Sequence, residues 1–203
     1  MFPSLSLEIQ DELAHLAQIY GTPLVRTVNL GFDTLFDPLN ATDRYGEVCM
    51  VVRRPNGHLL TMMKTFYPRG AYRLLTGGIN HGEHVYDALL RETYEETGLQ
   101  VKVSRFLAAL AYCSKSENAT PIFYTFAFLL DEIGGTLGAI DEGERVEAFH
   151  EIAVQDLPTI AKMFRNIQHD VSREIRGDWN NWGIFRAAIH EAVYDALVAH
   201  RHR

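Results

Sequence analysis

Apolar positions near the start of the chain recur at helical spacing. Ile9, Leu13, Leu16 and Tyr20 fall at i, i+4, i+7 and i+11, with Gly21 and Pro23 as stop signals, so a helix is expected over residues 5–20. A short strand follows over 24–30, then a loop over 31–43 containing Asp37-Pro38. The runs 45–54 and 58–66 are strand-like and are joined by Pro55-Asn56-Gly57, a hairpin signal. Val48, Met50 and Val52 alternate with Cys49 and Val51, so both faces are apolar and the strand is expected at the centre of a sheet. Residues 71–76 give a third short strand, which leads into two glycines and then a helix rich in acids. Two more strands, 100–113 and 121–132, flank a polar loop over 114–120. The last strand is expected over 146–152 and a helix from Asp156 to about Ile167. A polar linker over 170–181 precedes a final amphipathic helix, in which Trp182, Phe185, Ile189, Val193 and Leu197 keep helical spacing and Asn181 is the expected N-cap.

Strands grouped around one embedded helix, with helices at both ends, predict an α/β or α+β chain built on a mixed sheet. At 203 residues, 47% hydrophobic and 22% charged, the chain suits one globular unit with extensions. A net charge of −7 argues against a nonspecific nucleic-acid surface, which needs a basic stripe. No run has the length of a membrane span, and the opening residues lack a basic and apolar leader pattern, so a cytoplasmic protein with no membrane or nucleic-acid partner is expected. Cys49 and Cys113 sit in apolar strand-like runs and read as buried thiols in a reducing compartment. The nine histidines form no zinc-ligand spacing.

Residues 77–99, GGINHGEHVYDALLRETYEETGL, carry the chemistry. Glu92, Glu95 and Glu96 share one side of a helix, with Arg91 beside them. Stacked like charges cost about 0.2–0.5 kcal/mol per i,i+4 pair when nothing neutralises them. Clustered carboxylates therefore call for a cation, and hard oxygen ligands suit Mg²⁺ or Mn²⁺.

The spacing of Gly77, Glu83, Arg91-Glu92, Glu95-Glu96 and Gly98-Leu99 resembles the signature box of the Nudix hydrolases. Matching the seven glycine and charged positions among these by chance has odds of about one in 10⁸ or rarer per start site, so a merely solvated acidic face is a poor account. Thr93 departs from the aliphatic residue usual in the family, but its hydroxyl can bond back to a helix carbonyl. The resemblance implies an α/β/α sandwich with a mixed sheet over residues 41–160, flanked by helical extensions over 1–40 and 161–203. It also implies a Mg²⁺- or Mn²⁺-dependent hydrolase that cleaves a nucleoside diphosphate linked to another group. On this resemblance Glu92, Glu95 and Glu96 are metal ligands, and Glu83 supports the loop or a second ion. Gly77, Gly78 and Gly82 permit a tight loop that brings backbone carbonyls, such as that of Thr76, toward the ion. Arg91 orients a carboxylate. The general base is either Glu92 or an acid of the later loop, where Glu142 and Glu144 are the candidates.

For substrate grip the candidates are Arg53, Arg54, Lys64, Arg69 and His81, with Phe66, Tyr67 and Tyr112 available for stacking on a base. Trp179 and Trp182 read as packing for the last helix. The proline that ADP-ribose hydrolases carry after the box is missing at 113–116, and Tyr112 falls too early for the dinucleoside-polyphosphate mark. The substrate class therefore stays at small nucleotide diphosphates. Two other readings are a nucleotide sensor without catalysis and an isoprenoid diphosphate isomerase, the second lacking its cysteine motif. The apolar stripes of the two terminal helices need partners and point to a homodimer contact.

Overall fold

The computed structural model describes residues 2–33, 35–115 and 120–199. Chain order is α1 (Leu7–Tyr20), β1 (Leu24–Asn29), β2 (Arg44–Arg53), β3 (Leu59–Lys64), β4 (Arg73–Asn80), α2 (Val85–Thr97), β5 (Leu99–Cys113), β6 (Phe123–Gly135), β7 (Val146–Ile152), α3 (Leu157–Arg165), β8 (Val171–Ser172), β9 (Gly177–Asp178) and α4 (Trp179–Val198). Seven strands form one mixed sheet in the order β1-β5-β6-β2-β4-β3-β7, with β1–β5 and β6–β2 parallel. The expected α/β/α sandwich is the architecture observed.

The alternation in β2 builds both layers. Val48, Met50 and Val52 face a core completed by α1 and α2, while Cys49 and Val51 face the core completed by α3 and α4. As predicted, β2 is central, with β6 on one side and β4 on the other. Val48, Cys49, Met50, Val51 and Val52 are fully buried, and each large side chain so buried contributes about 1.5–3 kcal/mol.

The amphipathic stripes at the two ends find their partners inside this fold. Leu13 and Leu16 of α1 join the first core, and Trp182, Phe185, Ile189 and Val193 of α4 join the second. These residues of both stripes are thus covered by the sheet of this chain, while Leu7 and Ile19 of α1 stay exposed. Among the described residues, no helix is long and apolar enough to cross a membrane.

Several boundaries differ from expectation. β4 does not stop at residue 76 but runs on through Gly77 and Gly78 to Asn80, paired with β2. The stretch 170–181 is no plain linker: it holds the β8–β9 hairpin, and α4 starts at Trp179 with Asp178 as N-cap, its side chain accepting from the Asn180 amide at 2.7 Å, in place of Asn181. Of the loop expected over 114–120, residues 116–119 lie outside the described residues, Ser116 among them.

Candidate active site

α2 carries the acids, and its ends fix their position. Gly98 closes the helix in the left-handed region at φ 66°, its amide donating to the Tyr94 carbonyl at 2.8 Å. Thr93 is fully buried, and its hydroxyl donates to the Leu89 carbonyl at 2.6 Å, as its place in the helix suggests. Before the helix, Gly82 takes φ +79° in the turn, a conformation that favours glycine.

Gly77 and Gly78 are strand residues, so their smallness serves close approach and not a tight loop. A Cβ on Gly77 would lie 2.2 Å from Cγ and Cδ of Glu92, and one on Gly78 would lie 2.2 Å from the Arg44 guanidinium. Glu92 therefore reaches over β4 only because position 77 has no side chain.

Arg91 is the hub of the acid cluster. Its Nε and Nη2 donate to the two oxygens of Glu83 at 2.7 and 2.8 Å. Nη1 donates to Glu92 Oε1 and to Glu95 Oε2, each at 2.9 Å, and Nη2 also donates to the Gly78 carbonyl at 3.0 Å. This fork ties strand, turn and helix together. Glu83 also accepts from the Asn80 amide at 3.0 Å, and the Arg91 guanidinium holds its carboxyl below the usual range.

Glu96 is fully buried and its two oxygens have no hydrogen-bond donor. Lys64 Nζ lies 3.3 Å from Oε1, an ion pair without hydrogen-bond geometry. Burial pushes the Glu96 carboxyl up to about 7, outweighing the pull of Lys64 and Arg73. Glu92, 8% exposed, is likewise raised by burial against the opposing Arg91.

The late loop does reach this cluster. Lys64 Nζ donates to Glu144 Oε2 at 2.7 Å, and so stands between Glu144 and Glu96. The Thr65 amide donates to the Arg145 carbonyl at 2.9 Å, Arg145 stacks over Phe66, and the Ile140 amide donates to the Glu95 carbonyl. Glu142, by contrast, lies exposed on the 3₁₀ turn Glu142–Glu144. Among the described residues, no three His, Cys, Asp or Glu side chains are grouped to hold an ion, since Arg91 and Lys64 lie between the carboxylates. The donor set nevertheless fits a hard divalent cation, because the buried oxygens of Glu96 accept no hydrogen bond and belong to the ligand type such ions prefer.

Beside the acids is a cleft of about 260 Å³ lined by Lys64, Tyr67, Arg73, Thr76, Trp182 and Arg186, among others. Arg73, only 2% exposed, has no carboxylate within ion-pair distance among the described residues. Its Nε donates to the Tyr67 hydroxyl at 2.8 Å, and its Nη1 to the Leu74 carbonyl at 2.8 Å and Thr76 Oγ1 at 3.0 Å. Glu47 and Arg186 form a buried pair at 2.7 Å, to which Thr125 adds a hydroxyl donor at 3.0 Å.

These last residues escaped the sequence reading. The signal for them was a lone charge inside an apolar run: Glu47 before Val48, Arg73 before Leu74, and Arg186 amid Phe185 and Ala187. Of the expected gripping residues, Lys64, Phe66 and Tyr67 line the cleft. Arg53 pairs with Asp131, Arg54 pairs with Glu132 and Glu151, and Arg69 is exposed. His81 bonds the Thr42 carbonyl, and Tyr112 is buried in the core. Trp182 both packs and lines the cleft, whereas Trp179 packs against Tyr67 and Trp182. Cys49 and Cys113 are free, buried thiols, with burial raising both.

The NUDIX domain model matches residues 44–174, about two thirds of the chain. The chain belongs to the Nudix family. Members of that family are hydrolases of diphosphate bonds, and this chain is an enzyme of that kind. A curated relative, the ADP-ribose pyrophosphatase of Methanocaldococcus jannaschii, is 32% identical over 131 residues, covering 64% of this chain and 72% of that protein. Nudix hydrolase 2 of Arabidopsis thaliana is 36% identical over 78 residues, 37% of this chain and 27% of that protein. Among solved structures, a UDP-X diphosphatase superposes with TM-score 0.48 at 14% identity, over 94% of this chain and 72% of that one. Nudix hydrolases generally use divalent metal ions.

Proposed function

We propose that this Nudix enzyme is a Mg²⁺- or Mn²⁺-dependent pyrophosphohydrolase. It cleaves a nucleoside diphosphate linked to another group, giving a nucleoside monophosphate and the phosphorylated group. The observation that carries this reading is the buried carboxylate of Glu96, without a hydrogen-bond donor, beside Glu92 and a cleft lined by Lys64 and Arg73. The relative named ADP-ribose pyrophosphatase supports the substrate class.

Glu92, Glu95 and Glu96 would hold the cation, with Glu83 and the backbone at Thr76, Gly77, Gly78 and Gly82 shaping the approach. When bound, a divalent cation neutralises diphosphate oxygens and lowers the pKa of a coordinated water. The protein's own groups do the rest. Arg91 keeps Glu92 and Glu95 aimed together, and Glu83 anchors Arg91. Lys64 and Arg73 place positive charge against the anionic substrate, while Tyr67 and Trp182 offer aromatic walls. A proton from the attacking water passes to Glu144 or to Glu92, and Lys64 holds Glu144 toward the acids. Glu142 is the less suited of the loop acids because its side chain points into solvent.

The test is release of phosphorylated products across a panel of nucleotide diphosphates with Mg²⁺, for wild type, Glu95→Gln and Glu96→Gln. Each variant should lose a hundredfold or more in kcat, on the order of 3 kcal/mol. Wild-type turnover by both variants would overturn the reading, as would products that never take up ¹⁸O from solvent water. Glu144→Gln separates the two bases: a comparable loss with cation binding intact assigns the role to Glu144.

A further inference from the structure

The helix that carries the acids lacks a cap of its own. Its N-cap residue, His84, has extended backbone at φ −68° and ψ 143°, and its side chain makes no cap hydrogen bond. The first-turn amides of a helix need an acceptor, normally the N-cap side chain reaching the second or third helical amide. Here that acceptor comes from another helix. Glu12 of α1 accepts from the amide of Tyr86, the second residue of α2, through Oε1 at 3.0 Å. Its Oε2 lies 3.3 Å from Nδ1 of His84, and its carboxylate also suits the positive end of the helix dipole.

A second tie reinforces the first. Tyr20, the last residue of α1, stacks on Tyr86 with ring centroids 6.2 Å apart, and the two hydroxyls are 3.4 Å apart. Leu13 and Leu16 anchor α1 in the core, so Glu12 is presented from a fixed element. The family match begins at residue 44 and leaves α1 outside it.

We infer that Glu12 is a positioning residue, capping the catalytic helix from α1 and thereby holding the carboxylate cluster in register. The path from cap to acids is short and continuous. The first turn of α2 is separated from Glu83 by His84 alone, Glu83 grips Arg91 with both oxygens, and Arg91 holds Glu92 and Glu95. Freeing the first turn loosens the Glu83 end of that chain. The inference rests on the proposal that these acids bind a divalent cation.

The experiment uses the full chain, with Mn²⁺ binding followed by electron paramagnetic resonance and amide exchange followed over residues 85–88. Glu12→Ala should lose about five- to tenfold in exchange protection at Tyr86 and weaken Mn²⁺ binding by a similar factor. Glu12→Gln keeps the acceptor oxygen and should stay within about threefold of wild type. Adding His84→Asp to Glu12→Ala supplies a local cap and should restore both readouts, which a loss of α1 packing would not allow. Unchanged exchange at Tyr86 in Glu12→Ala overturns the inference, and so does a failure of His84→Asp to rescue. If wild type binds no Mn²⁺, the metal-site reading itself fails and the cation half of this inference with it, while exchange at Tyr86 still decides the cap.

Discussion

Replacing Arg186 by Met would strand one of the few buried carboxylates of the protein. Glu47 on β2 is 3% exposed and Arg186 on α4 is 4% exposed, and Arg186 contacts Glu47 Oε1 at 2.7 Å, the same oxygen that accepts from the Thr125 hydroxyl. Met fills much of the volume, so the loss is mainly electrostatic. Breaking a buried pair by removing one partner costs about 3–5 kcal/mol, because the remaining charge has no compensation. Proton uptake sets a ceiling on that penalty: neutralising an ordinary glutamate at pH 7 costs about 3.7 kcal/mol, falling by about 1.4 kcal/mol per pH unit toward its pKa. At this chain length each kcal/mol shifts the melting temperature by roughly 2–4 °C, so Arg186→Met should melt about 7–15 °C lower at pH 7. Adding Glu47→Gln removes the stranded charge and should recover more than half of the loss. Urea unfolding read by tryptophan fluorescence is suited to the measurement, since Trp179 and Trp182 lie in α4. A deficit under about 1 kcal/mol, a deficit that does not shrink between pH 7 and 5, or a double variant no better than the single would each refute the reasoning.

Gly77→Ala should place a methyl into the Glu92 side chain, lowering kcat about a hundredfold and weakening cation binding, whereas Gly82→Ala meets no atom within 4 Å and should mainly cost backbone strain; titration with Mn²⁺ compares them. Saturating Mg²⁺ should raise the melting temperature, with a stabilisation of about 2.7 kcal/mol at a hundredfold excess over Kd, and superimposable melts in EDTA and in Mg²⁺ would count against the site. His190 is fully buried and neutral, its Nε2 accepting from the Leu74 amide and its Nδ1 donating to the Arg186 carbonyl, and burial drives its pKa down to about 3. Because that folded value lies below the unfolded one of about 6.5, its stabilisation is complete above pH 6.5 and is lost as pH falls toward 3, at up to about 1.4 kcal/mol per unit. The slope of stability against pH between 6 and 4 should therefore be flatter in His190→Gln than in wild type, and equal slopes would remove the claim.

Much of this protein is decided locally. Helical spacing of apolar residues placed α1 and α4, two-sided apolar runs placed β2 in the centre of the sheet, and the spacing from Gly77 to Leu99 exposed the acid helix, since each of these patterns spans only a few turns or one strand. Sequence also showed that an acid of the 141–144 loop was a candidate, but not which one: Glu144 reaches Lys64 because Arg145 is pinned to the end of β3, and Glu142 does not. What only the tertiary structure decided are relations between distant segments. The Glu47–Arg186 pair joins β2 to α4, 139 residues apart, and neither residue is marked by periodicity. Likewise the strand role of Gly77 depends on Glu92 arriving from α2, and the cap on that helix depends on Glu12 arriving from α1. Periodicity records which face of an element is buried, whereas a charge placed in the interior is stable only beside a partner, and the partner is fixed by how the layers stack.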